Sequence, residues 1–108
     1  MNLLITGGCG YKGSVLIPTL LDDGHEIINV DTQWFGNYLP KHKNLKNLKL
    51  DIRSIDKINL NGYKAIIHLA SIANDNFTKL NPNISWEISC LGTEMLIQLC
   101  KKYKIKRF

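Results

Sequence analysis

Apolar residues occur along the chain in short continuous runs, which alternate with longer stretches at helical spacing. The short runs predict strands at residues 3–5, 25–30 and 65–70, and the leucines at 45, 48 and 50 predict a further strand over 45–50, at the edge of the sheet. Apolar residues three and four apart predict helices over 11–21 and 83–103. A helix between two strands indicates a βαβ unit with parallel strands. The run at 65–70 is apolar at nearly every position, as in strands that helices cover on both faces.

Glycines separate the first predicted strand from the first helix. Gly8, Gly10 and Gly13 have the spacing G-x-G-x-x-G. Such glycines permit a sharp turn, leave room for a phosphate beside the backbone and let the helix pack closely. The N–H groups of the first helical turn and the helix dipole then favour an anion. A Walker-type phosphate loop is excluded because Lys12 precedes the last glycine instead of following it.

Two acidic residues follow predicted strands. Asp31 comes directly after the second strand, about 20 residues past the glycines, where a dinucleotide fold places an acid for the adenosine ribose. A carboxylate there repels a 2′-phosphate and so favours NAD over NADP; the alternative is a turn residue. Asp51 is placed to accept from an adenine amino group while Ile52 packs on the ring. The alternative for Asp51 is the N-terminal cap of a short turn.

The strand at 65–70 should end beside the first strand, at the crevice where open α/β sheets bind ligands. Leu69, Ala70 and Ser71 would lie at that crevice. His68, within the apolar run, is interpreted as a hydrogen-bonded core histidine and not as a catalyst. The aromatic residues at 34, 35 and 38 either flank an adenosine or cap the sheet edge. Residues 71–83 are predicted to form a polar loop.

Composition narrows the class of protein. A chain of 108 residues is at most one domain, and 44% hydrophobic with 21% charged residues is ordinary for a globular protein. No apolar run approaches the roughly 20 residues of a membrane span. Three cysteines at irregular spacing predict neither a metal site nor a disulfide framework, so we expect a cytoplasmic protein. The lysines behind the net charge of +5 are interpreted as solvated surface rather than a nucleic-acid patch.

These residues resemble the start of an extended short-chain dehydrogenase/reductase of the NAD-dependent epimerase/dehydratase branch. Residues 6–13 match that family's T-G-G-x-G-x-x-G, so the resemblance assigns cofactor binding to Gly7, Gly10, Tyr11, Lys12 and Gly13. Further ordered matches are Asp31, the Asp51-Ile52 pair, His68-Leu69-Ala70 and Leu91-Gly92-Thr93. The family's fold is an α/β, Rossmann-type parallel sheet of order 3-2-1-4 with flanking helices. Residues 1–108 would be an incomplete NAD-binding domain, truncated before strand five.

The resemblance also implies an activity, the oxidation and later reduction of a nucleoside-diphosphate sugar with NAD. The family's acid/base pair is a Tyr-x-x-x-Lys motif, and no tyrosine here has lysine four positions on. The chain departs from the family at Lys12, usually aliphatic, and at Ser89, often Asn. We therefore expect dinucleotide binding without turnover by these residues alone. The alternatives are a non-catalytic dinucleotide sensor or partner-docking module and, less favoured, a basic nucleic-acid binder.

The strand at 65–70 raises a question of stability. Its apolar residues predict an interior strand, yet its far neighbour is missing or incomplete within these 108 residues. An uncovered hydrophobic edge promotes pairing between chains. We therefore expect the chain to be marginally stable and prone to association. The long helix could also form a homodimer, as related enzymes do, or simply contribute to the core.

Overall fold

A four-stranded parallel sheet of order β3-β2-β1-β4 forms the centre of the computed structural model, which describes residues 1–72 and 79–108. This confirms the predicted Rossmann-type order. The strands are β1 (Asn2–Thr6), β2 (Glu26–Asp31), β3 (Leu45–Lys49) and β4 (Ala65–His68). The helices are α1 (Gly13–Asp22), a 3₁₀ segment (Ile52–Lys57), α2 (Pro82–Trp86), a π-helical turn (Glu87–Leu91) and α3 (Gly92–Tyr103).

Side chains of β1 alternate between two cores on opposite faces of the sheet. Leu3 and Ile5 pack on the α1 side with Ile17 and Leu21. Leu4 packs on the other side, where the 3₁₀ segment and α3 contribute Ile52, Ile55, Leu96 and Leu99. Because both faces of the sheet are covered, the apolar run of β1 is buried on both sides, whereas β3 and β4 lie at the two edges of the sheet, so the run at 65–70 is not the interior strand that the sequence predicts. In the described part of the chain, no helix is long and apolar enough to cross a membrane.

Several predicted boundaries move by a few residues. The first helix begins at Gly13 and not at Tyr11, because residues 11 and 12 form the turn out of the glycine loop. The fourth strand ends at His68 and not at Ala70, since its partner β1 ends at Thr6, the residue in register with His68. The predicted loop over 71–83 lies partly outside the described residues; among those described, positions 79 and 80 are helical and positions 82 and 83 belong to α2, so the prediction is wrong there.

The segment after α3 lies at the outer edge of β4. Lys104 adopts a left-handed conformation with φ of 55°, which ends the helix. Arg107 then forms a single parallel bridge with Ala65, and the Ile66 N–H donates to the Arg107 carbonyl over 3.0 Å. Residues 104–108, predicted to lead into a fifth strand, thus make one ladder contact with β4.

Candidate functional site

A groove opens at the carboxyl end of the sheet, where β1, β2 and β4 finish together. Its walls come from the glycine loop, the ends of β2 and β4, and the turn after β3. Lining residues include Gly7, Cys9, Gly10, Asp31, Trp34, Phe35, Asp51, Ile52, Leu69, Ala70 and Ser71. Eight of the eleven predicted site residues are in that set. Trp34 and Phe35 line the groove, which favours a contact with a ligand over a cap on the sheet edge, whereas Tyr38 is 86% exposed.

The glycine loop, residues 7–13, packs against the backbone that follows β4. Gly7 has φ of +74°, and a Cβ built there would lie 2.5 Å from the Ala70 nitrogen. The backbone of Gly13 packs closely on Gly8, because a Cβ on Gly13 would lie 2.3 Å from the Gly8 carbonyl oxygen. A side chain at Gly7 would push the loop away from the end of β4, and one at Gly13 would push the start of α1 away from Gly8. The loop therefore keeps bare backbone along one wall of the groove.

The amides of the loop fall into two groups. The N–H groups of Gly7, Gly8 and Cys9 donate within the protein, to the Val30 carbonyl, the Asn29 amide oxygen and the Asp31 carboxylate. Among the hydrogen bonds of residues 1–72 and 79–108, none engages the N–H groups at positions 11, 12 and 13. These three amides begin α1, where the helix dipole favours an anion.

The predicted residues at 11–13 contribute backbone and not groove-lining side chains. Tyr11 is 92% exposed, and the Lys12 side chain is also exposed. Neither is among the lining residues of the groove, and Gly13 is buried against Gly8 behind it. A role for Tyr11, Lys12 and Gly13 therefore depends on their N–H groups.

Asp31 is the last residue of β2, one position earlier relative to the strand end than the sequence predicts. Its two carboxylate oxygens accept from the Cys9 N–H over 2.9 Å and from the Gln33 N–H over 2.7 Å. Each oxygen has a further lone pair, since a carboxylate has about four acceptor sites. The carboxylate is thus fixed by the glycine loop and still able to accept from hydroxyl groups in the groove.

Asp51 caps the 3₁₀ segment, as one of its two interpretations predicts. Its carboxylate accepts from the Arg53 N–H over 2.8 Å and pairs with the Arg53 guanidinium. Arg53 also pairs with Glu87 over 2.7 Å, which ties the segment to the π-helical turn. The hydrogen bond and charge of Arg53 hold the pKa of Asp51 below its usual value. Asp51 and Ile52 both line the groove, so their predicted contacts with adenine stay a prediction.

A chain of hydrogen bonds joins β1, β4 and the last helix beneath the groove. The Ala70 N–H donates to Thr6 Oγ1, which lies 2.6 Å from Nδ1 of His68. Nε2 of His68 lies 2.9 Å from Thr93 Oγ1, whose hydroxyl donates to the Ser89 carbonyl. Since Thr93 uses its proton on Ser89, it accepts from an Nε2–H. The bonds are all satisfied by neutral His68, with Nδ1 accepting from Thr6.

His68 is therefore the hydrogen-bonded core histidine that the sequence predicts. Burial lowers its pKa, because desolvation disfavours the charged imidazolium. Both ring nitrogens are engaged with threonine hydroxyls. The ring positions the end of β4 and is not free to exchange protons with a ligand.

Sequence reasoning missed Asn29, which supports the glycine loop from below. It is fully buried in β2, and its amide contacts Gly8, Cys9 and Asn47. The signal was a single amide in an otherwise apolar strand. Burial, with the neighbouring Asp31 carboxylate, raises the pKa of the Cys9 thiol, so Cys9 is not an activated nucleophile. The described residues contain no group of acids, histidines and cysteines that could hold a metal ion.

Known proteins match nearly the whole chain. The model of the NAD dependent epimerase/dehydratase family covers residues 3–108. A putative UDP-glucose 4-epimerase of Methanocaldococcus jannaschii is 30% identical over 97% of this chain and 35% of its own length. A 3 beta-hydroxysteroid dehydrogenase/Delta 5-->4-isomerase of Mycobacterium tuberculosis is 31% identical over 99% of this chain and 30% of its own.

Solved structures give the same relationship. The UDP-N-acetylglucosamine 4-epimerase of Methanobrevibacter ruminantium, in complex with UDP-N-acetylmuramic acid, has a TM-score of 0.86 and 28% identity over 97% of this chain and 35% of its own. The UDP-glucose 4-epimerase of Thermotoga maritima, with UDP-glucose, has a TM-score of 0.87 and is 25% identical. The match covers 98% of this chain and 36% of that one. The chain thus spans about a third of the length of these relatives. The family match confirms the resemblance found in the sequence: the chain belongs to the NAD-dependent epimerase/dehydratase family and corresponds to the N-terminal part of its longer members.

Proposed function

We propose that this chain binds NAD in the groove and is the cofactor-binding part of an oxidoreductase that acts on a nucleoside-diphosphate sugar. The observation that carries the proposal is the shared groove of the glycine loop and Asp31. Within the described residues no hydrogen bond engages the N–H groups at 11, 12 and 13, next to the glycine loop, and the Asp31 carboxylate in the groove has spare acceptor sites. A diphosphate and a ribose need these two groups close together.

The residues of the groove fit such a cofactor. The N–H groups at 11, 12 and 13, where the chain turns into α1, would hold the diphosphate. Asp31 would accept from the adenosine ribose, and Asp51 with Ile52 would hold the adenine. Leu69, Ala70 and Ser71, at the end of β4, would line the path toward the nicotinamide. Gly7 and Gly10 would keep that wall of the groove free of side chains.

When bound, NAD would supply hydride acceptance and return, the chemistry of its nicotinamide. The residues present bind and orient the cofactor. General acid/base catalysis needs a tuned group within hydrogen-bond reach of the reacting hydroxyl. No Tyr-x-x-x-Lys occurs in the sequence, and both ring nitrogens of His68 are already engaged. We therefore expect cofactor binding and no turnover from these 108 residues alone.

The sugar substrate rests on similarity. Relatives named as UDP-glucose 4-epimerases support a nucleoside-diphosphate sugar. A steroid dehydrogenase that is 31% identical supports a role of the shared region in cofactor binding rather than in the choice of substrate. The relatives share with this chain the region that forms the Rossmann-type fold. The groove that we propose as the cofactor site lies in that region.

Calorimetric titration with NAD and NADP tests the proposal. The wild type should bind NAD more tightly, because the Asp31 carboxylate repels a 2′-phosphate. Asp31→Asn should weaken NAD roughly tenfold, through a lost charge-assisted hydrogen bond, and should narrow the preference over NADP. Asp22→Asn, at an exposed position ending α1, removes the same charge away from the groove and should bind as the wild type. Equal affinity of the wild type for NAD and NADP, or no binding of either, would contradict the proposal.

A further inference from the structure

Asn29 occupies a position where a parallel sheet ordinarily carries an aliphatic residue. It lies in the interior strand β2, between β1 and β3, and is 0% exposed. A buried carboxamide is costly unless its donors and acceptor are all paired. An explanation for Asn29 must therefore come from its partners.

All the main hydrogen-bonding capacity of Asn29 is used. Its Oδ1 accepts from the Gly8 N–H over 2.9 Å. Its Nδ2 donates to Asn47 Oδ1 over 3.0 Å and to Cys9 Sγ over 3.4 Å. Two of the three partners belong to the glycine loop, and the third anchors the amide to β3. The side chain thus bridges the sheet and the loop.

Gly8 and Asn29 also fit each other sterically. A Cβ on Gly8 would lie 2.1 Å from Asn29 Oδ1 and 2.7 Å from its Cγ. The absent side chain at position 8 therefore makes room for the carboxamide. This gives Gly8 a role in addition to the sharp turn that the G-x-G-x-x-G spacing assigns to its first glycine.

The consequence reaches the groove through Cys9. Asn29 holds Gly8 and the Cys9 thiol, while the Cys9 N–H donates to Asp31. We propose that Asn29 is a positioning residue for dinucleotide binding, which fixes the glycine loop so that the amides of α1 and Asp31 face one groove. Asn29 itself is not among the lining residues of that groove. This inference rests on the proposed binding of NAD.

The test compares NAD with adenosine on the full 108-residue chain. Asn29→Val removes the bridge, and an aliphatic residue suits an interior parallel strand, so the variant should fold. NAD affinity should fall roughly tenfold, which corresponds to about 1.4 kcal/mol, the scale of a lost buried hydrogen bond. Affinity for adenosine, measured by NMR titration, should stay within about a factor of two, since it lacks the diphosphate.

A second measurement reports the loop without any ligand. Hydrogen exchange of the Gly8 amide should be slow in the wild type and fast in Asn29→Val. Asn29→Asp has the same shape and still accepts from Gly8, so it should keep that amide protected. If Asn29→Val did not fold, Asn29→Ala, which also removes the bridge to Gly8, would carry the ligand test with the same expected outcome.

Two controls separate positioning from general stability. Asn47→Ala cuts the anchor on β3 but leaves both contacts to the loop, and should retain NAD affinity. Ile55→Val removes a methylene from the core on the other face of the sheet and should lower stability without changing NAD affinity. Equal losses of NAD and adenosine in Asn29→Val, or losses that follow stability in every variant, would overturn the inference. A wild type that binds neither ligand would instead overturn the proposed function, and this inference with it.

Discussion

At the scale of single residues, the glycine loop depends on the distance between two backbones. Gly7 and Gly24 share a positive φ, of 74° and 86°, so an alanine at either position adopts a strained conformation. They differ in surroundings, because a Cβ on Gly24 meets nothing within 4 Å while one on Gly7 meets the Ala70 backbone. The pair therefore separates conformational strain from close approach.

Substitution at these two glycines should have unequal costs. Gly24→Ala should lower the free energy of unfolding by about 1–2 kcal/mol, the cost of a left-handed non-glycine residue. Gly7→Ala should cost a further ~1–3 kcal/mol, because the loop must move off the end of β4. Urea denaturation of both variants measures the difference. Equal losses would mean that the loop has room at Gly7.

At the scale of elements, burial in the C-terminal helix departs from the predicted apolar stripe next to the π-helical turn. The spacing predicts a stripe that includes Leu91, Met95 and Leu99, yet Leu91 is 42% exposed while Gly92 and Leu96 are buried. Leu99 is buried as the spacing predicts, so the departure is local to the residues that follow Glu87–Leu91. Gly92 packs on Ile52, with a built Cβ only 3.1 Å from it.

The hydrogen bonds through Thr6, His68 and Thr93 link β1, β4 and α3, and their contribution to stability should depend on pH. Because burial lowers the pKa of His68 in the folded state, unfolding takes up a proton there at acid pH. The contribution is fully present above about pH 6.5, the unfolded value, and is lost as pH falls toward the folded pKa. Stability should therefore drop more between about pH 7.5 and about pH 5 in the wild type than in His68→Asn.

Urea midpoints at the two pH values measure this effect. Carboxylates also contribute to the pH dependence of stability. They are the same in the wild type and the variant, so the difference between the two proteins cancels their contribution. His42→Asn, at an exposed position, is the control and should keep the wild-type difference. An unchanged pH dependence in His68→Asn would show that the chain of bonds tolerates the imidazolium.

At the scale of the whole molecule, the sheet is unequally covered at its β4 edge. Beyond β4, Arg107 provides one bridge, and Phe108 next to it is 58% exposed. Ile97, Ile105 and Phe108 line a depression between α3 and this segment, together with Cys100 and the lysines at 101, 104 and 106. An edge of this kind can pair with another chain.

We expect the chain to associate through this edge. Sedimentation velocity over a wide range of concentration should show a rising mean mass. Phe108→Lys should reduce it, because charge at an edge opposes pairing. Val15→Lys adds the same charge on α1, where Val15 is 69% exposed, and should leave association unchanged. A wild-type monomer at all concentrations, with a sharp cooperative melt, would contradict the expectation.

Local sequence patterns were enough to predict the parallel fold and the elements that form the groove. Parallel strands and the glycine turn follow from local patterns, since apolar runs and Cβ-free turns have few structural solutions. Asp31 could be located because it follows such a run at the required distance. These features depend on residues close together in the chain.

The pairing of residues that are distant in the chain is visible in the three-dimensional structure and not in the sequence. Asn29 under Gly8, Thr93 on His68 and Glu87 on Arg53 join residues 21 to 34 positions apart, and no local pattern encodes such pairs. Backbone geometry is a local property of the sequence, whereas the partner of a buried polar group is fixed by the packing of elements that are distant in the chain.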